Sequence, residues 1–106
     1  MLCYVFNVRE SRYKSKKDQK DRFGWNVSLV ALEGSKFHLE TFIDKKDDVF
    51  YKQGDSDLSK AFRPGFWDID IYEFEVRGDQ GVSMYQKKIC RINAHKSLDD
   101  AKEYLV

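Results

Sequence analysis

Proline is nearly absent from this sequence: Pro64 is its one occurrence in 106 residues, and only six glycines accompany it. So few chain breakers exclude a collagen-like or low-complexity chain and argue for a packed domain. Cysteine is equally scarce. Cys3 and Cys90 are too few for a disulfide scaffold, and both are expected reduced and buried or half-buried, with at most an incidental pairing across neighbouring strands. No apolar run reaches the ~18 residues of a membrane span. The start, Met1 to Phe6, lacks the basic region of a secretory signal, so the expectation is a cytoplasmic protein with no membrane partner. Net charge is missing too: 19 basic and 18 acidic residues leave +1. Bulk attraction to nucleic acid is thereby excluded as an argument, and only local clustering can carry one.

What is present is apolar and aromatic: 42% hydrophobic residues, 15% aromatic. A chain of this length is one domain, residues 1–106, and buries roughly 60–70% of its unfolded surface. Scarce Ala and Pro beside abundant Lys, Phe and Tyr match AT-rich coding, which points to a mobile-element origin.

Residues 66–93 organise the rest. Two strand-like runs flank Arg77-Gly78-Asp79-Gln80-Gly81, whose glycines suit a tight reversal. In the first run Trp67, Ile69 and Ile71 lie on one parity while Tyr72, Phe74 and Val76 lie on the other. A β-bulge near Ile71-Tyr72 is expected to restore one buried face. Upstream, Phe23, Trp25, Val27, Leu29 and Ala31 alternate with polar residues, as do Phe37, Leu39, Thr41 and Ile43 after a short turn. These predict a hairpin with one buried face. Leu2, Tyr4, Phe6 and Val8 are expected on the inner face of a first strand.

Two stretches break the pattern. Residues 9–22 hold seven basic and three acidic residues with only Tyr13 to bury, and are expected to be an exposed, mobile basic loop. In the 44–63 connection, Ser56 or Asp57 is expected to cap a short helix carrying Leu58, Ala61 and Phe62. There Val49, Phe50 and Tyr51 are expected pinned to the core. Ser97 and the acidic residues after it open a last helix whose stripe of Leu98, Ala101 and Leu105 should lie on the sheet. The fold class is thus α+β: a five-stranded, mostly antiparallel, curved sheet, with a C-terminal helix on one face and a short helical segment in the connection. One helix cannot cover so aromatic a sheet. A second subunit is therefore expected, with Trp25, Trp67, Tyr72 and Phe74 at an interface or pocket.

Three function classes follow. The first is a non-enzymatic interaction or ligand-binding module, a homodimer that takes a protein or small ligand in the hollow of its sheet. The second is a nucleic-acid binder, in which Arg12, Tyr13, Lys14, Lys16, Lys17 and Lys20 grip phosphates and stack on a base. The third is an enzyme built on Asp68, Asp70, Glu73 and Glu75, paired carboxylates suited to acid–base work or a divalent metal. These read more simply as the polar side of a strand. Cys3, Cys90, His38 and His95 lack the spacing of a zinc site, and His38 reads as a surface partner of Glu40. Cys90 with His95 as nucleophile and base would need an exposed thiol, which its strand context argues against. No catalytic residue, metal or cofactor is expected.

Overall fold

A computed structural model describes residues 1–14, 16, 19–53 and 56–104, without the side chains of 52, 53, 56 and 57. Its elements are β1 (Leu2–Lys14), β2 (Asp21–Ala31), β3 (His38–Asp44), β4 (Lys52–Gln53), β5 (Ser56–Asp57), α1 (Leu58–Ala61), β6 (Gly65–Arg77), β7 (Ser83–Lys96) and α2 (Leu98–Ala101), then a 3-10 turn over Lys102–Tyr104. Five strands form one antiparallel sheet in the order β3-β2-β1-β6-β7, while β4 and β5 pair separately. Helix is confined to single turns. Among the described residues no helix is long and apolar enough to cross a membrane.

The sheet curls until its two outer strands approach each other. The Lys87 ammonium of β7 lies 4.8 Å from the Phe37 ring centroid at the start of β3. Residues 49–51 bridge the remaining gap: Ile92 N–H donates to Val49 O, Tyr51 N–H donates to Ile92 O at 2.9 Å, and Phe50 forms a parallel bridge with Ile92. The expected pinning of this segment is therefore a short strand addition. Val5, Leu29, Trp67, Ile69 and Ile92 fill the inside of the curl, each at 0% exposure. The hollow expected to receive a ligand is solid core. Trp25, Phe50, Phe62, Trp67 and His95 cross it edge to face, with successive centroids 5.0–5.4 Å apart. Such contacts add to the burial of each ring.

β2 and β3 pair as their alternation predicts, Leu29 opposite Leu39 and Trp25 opposite Ile43. Elsewhere the structure corrects the sequence. In β1 the inward residues are Cys3 and Val5, and Tyr4 and Phe6 lie outside. A bulge between Val5 and Asn7 then turns Val8 back toward the core. The basic stretch 9–22 is not a loop through most of its length. β1 and β2 continue as a paired ribbon to Lys14 and Asp21. Missing apolar periodicity reported low burial there, not missing strand pairing. The ladder bonds are joined by an Arg12–Asp21 ion pair at 3.1 Å and by Arg12 over the Phe23 ring at 5.1 Å.

In β6 the expected rephasing does not occur. Register shifts fall between Asp68 and Ile69 and between Asp70 and Ile71, and the extra residues belong to the partner β7. Ile89, Ile92 and His95 thus meet Ile71, Ile69 and Trp67 at a spacing of three, and Tyr72, Phe74 and Val76 keep the opposite face. α1 lies where the connection was expected to be helical, but Phe62 is its buried neighbour and Ala61 is exposed. At the C-terminus Ala101 is fully buried while Leu98 is 57% exposed. Leu105 lies outside the described residues.

Candidate functional site

The outer face of β1, β2 and β3 carries rings that the core does not use. Tyr4, Phe6 and Tyr13 are all more than two-fifths exposed, and His38 and Phe42 share their side of the sheet. They meet in pairs across β2. Tyr13 touches Phe42 edge-on at 5.1 Å, and Phe6 stacks on His38 at 5.5 Å with 22° between planes. A third pair, Tyr4 with Phe66 of β6 at 5.1 Å, extends the row.

Local sequence explains both crossings. Gly24 lies beneath the first: a Cβ there would come within 2.7 Å of the Phe42 ring and 1.9 Å of the Ile43 carbonyl oxygen. Only glycine lets β3 approach β2 this closely and leaves room for the ring, the use such a residue has at a barrel corner. Phe6 reaches His38 because it is the residue skipped at the β1 bulge. Between the pairs runs a trough of about 400 Å³ lined by Asn26, Val27, Ser28, Glu40, Thr41 and Phe42. Asn7, Ser28 and Glu40 share one cross-strand row, and Arg9, Asn26 and Phe42 the next. Arg22 sits two rows further on, opposite Tyr13, and 3.7 Å from Asp44. The site therefore combines ring faces, amide and hydroxyl groups, the exposed Arg9 guanidinium, the Arg22–Asp44 ion pair and the Glu40 carboxylate.

The residues singled out from sequence fall in several places. Tyr13 belongs to this face, whereas Arg12 and Lys14 lie on the other side of the same ribbon. Lys16 and Lys20 are exposed at its tip. Lys17 lies outside the described residues. Trp67 is wholly interior, its indole N–H donating to Arg63 O at 2.8 Å. It cannot serve an interface or pocket. Trp25 is 9% exposed and forms the floor of a surface cleft with Phe50 and Lys45. Tyr72 and Phe74 touch at 5.6 Å on the outer face of the distal β6–β7 ribbon.

The carboxylates divide. Asp68 accepts from the Met1 amine at 2.9 Å, while Glu73 pairs with Lys87 at 3.1 Å and Glu75 accepts from the Ser83 hydroxyl, on the opposite side of β6. Among the described residues no three His, Cys, Asp or Glu side chains gather as metal ligands would. His38 and Glu40 are neighbours at 3.8 Å, as their alternation predicts. Cys90 is exposed, because the register shift beside it turns it out of the core pattern. Reading the sequence missed Phe6, His38, Phe42 and Glu40 as a group. The available signal was aromatic residues on the polar parity of strands whose other parity already supplies a core. No protein-family model matches this chain, and no curated protein or solved structure matches it either.

Proposed function

We propose that this protein binds single-stranded nucleic acid along the outer face of β1, β2 and β3, with the basic β1–β2 ribbon contacting phosphates. The observation that carries the reading is the pair of ring platforms, Tyr13–Phe42 and Phe6–His38, flanking a polar trough. Unpaired bases stack on exposed aromatic faces at about 1–3 kcal/mol each, and cations along the groove hold the backbone. Duplex DNA buries its base faces and has no use for such platforms. The connectivity supports the same reading by analogy of fold alone. A three-strand meander, a helical turn and a closing hairpin paired to the first strand describe a partly open five-stranded barrel. Greek-key barrels of this kind bind oligonucleotides on the outer face of strands two and three and on the loops beside it.

A fluorescent mixed-sequence 12-mer, titrated at several salt concentrations, tests the proposal. Each engaged cation contributes about −0.7 to the slope of log K against log salt, so three give roughly −2. Changing Arg9, Lys16 and Lys20 together to Gln should flatten that slope. Tyr13→Ala with Phe42→Ala should weaken binding by about tenfold or more and leave the slope in place. No binding at low salt by the unaltered protein would end this reading.

A further inference from the structure

Glu40 is out of place on a surface that holds phosphates. Its carboxylate is 71% exposed at the edge of the trough, with His38 Nε2 3.8 Å away. A like charge there repels a nucleic-acid backbone and should weaken binding, unless it meets a donor on the ligand. Its position suits such a donor. Glu40 stands on β3 midway between His38 and Phe42, the ring-bearing positions. Each is about 7 Å away along the strand. A base seated on either platform has its edge within reach of the Glu40 side chain, and Asn26 and Ser28 line the same trough.

We infer that Glu40 makes this face select guanine, an inference that rests on the single-strand reading above. An ionised carboxylate only accepts, through two parallel oxygens. In a single strand the Watson–Crick edge is open to protein. Guanine alone presents two adjacent donors on that edge, N1–H and N2–H, which match the carboxylate fork two for two. Cytosine and adenine each place an acceptor beside their amino group, and thymine flanks N3–H with two carbonyl oxygens. Glu40 thus offsets its repulsion at guanine and exacts it at every other base. Charge-assisted, paired hydrogen bonds of this kind are the strong ones.

The test compares three 12-mers in lithium buffer, which suppresses quadruplexes: oligothymidine, the repeat TTG, and that repeat with inosine replacing guanine. Inosine keeps N1–H and lacks the N2 amino group. The unaltered protein should bind the guanine repeat about fivefold or more tighter than oligothymidine, and inosine should remove most of the gain. Glu40→Gln should bind oligothymidine at least as well as the unaltered protein while its guanine preference falls to near one. Equal affinity of the unaltered protein for the guanine and thymine strands would overturn the role of Glu40 and leave single-strand binding standing. So would an undiminished preference in Glu40→Gln. Binding to none of the three would remove both readings together.

Discussion

Cys3 and Cys90 lie in one sheet and meet opposite environments. Cys3 is 0% exposed, and burial pushes its thiol up to about 12, with the charges of Asp68 and Glu33 adding to the rise against the N-terminal amine. Cys90 stands exposed beside a register shift. The two cannot be neighbours, because β6 runs between their strands. At pH 8 a thiol reagent should therefore modify one cysteine rapidly and the second only after denaturation. Cys90→Ser should abolish the fast phase. Two fast thiols in the folded protein would show that β1 does not hold Cys3 in the core. The sequence made both residues legible as free cysteines and hid their contrast, since a bulge depends on how two strands pair and neither strand announces it alone.

The last helix was half legible. Its cap was plain: Asp100 N–H donates to the Ser97 hydroxyl at 3.2 Å, and the Asp100 carboxylate accepts from Ser97 N–H and from its hydroxyl. The backbone bond first, then the hydroxyl bond, holds the Asp100 carboxyl below its ordinary range. A lowered folded pKa adds stability above the unfolded pKa, about 3.9, and that contribution disappears as pH falls through the lower folded value. The stripe misled, because the single turn seats Ala101 against the core and leaves Leu98, at its first position, in solvent. Leu98→Ala should shift the urea midpoint by an amount worth less than ~0.5 kcal/mol. Enlarging the fully buried Ala101 to Leu should cost ~1–3 kcal/mol through overpacking. A large loss in Leu98→Ala would mean that the helix docks by its other side. β6 teaches the same lesson: its two apolar parities were readable, and the choice between rephasing and two dressed faces was made by β7.

At the scale of the molecule, two hairpins between sequence neighbours were legible, whereas the β1–β2 ribbon and the long-range pairings were not. Alternation gave the β2–β3 hairpin, and glycine placement gave the β6–β7 reversal. Nothing local marks the long-range pairing of β1 with β6 at the middle of the sheet, where Cys3 meets Trp67 and Val5 meets Gly65. The outer rings went unread for a related reason: a face is shared by three strands, and its residues are far apart in the chain. The distal β6–β7 ribbon carries a consequence of its own. Beyond Ile71 and Ile89 it is two strands, with Tyr72, Val76 and Met84 exposed on one face and Tyr85 on the other. A two-stranded ribbon without a covering layer is marginal in water. We predict that backbone amides of 72–77 and 83–88 exchange with deuterium far faster than those of 2–5 and 66–69, by opening without global unfolding. If a second copy covers this apolar face in an isologous dimer, protection there should rise with protein concentration while the core amides stay unchanged. Exchange in the ribbon that ignores concentration from 1 to 100 micromolar, about a hundredfold range of mass action, would leave the ribbon to work alone, as a spring-like arm whose apolar side meets solvent in every molecule.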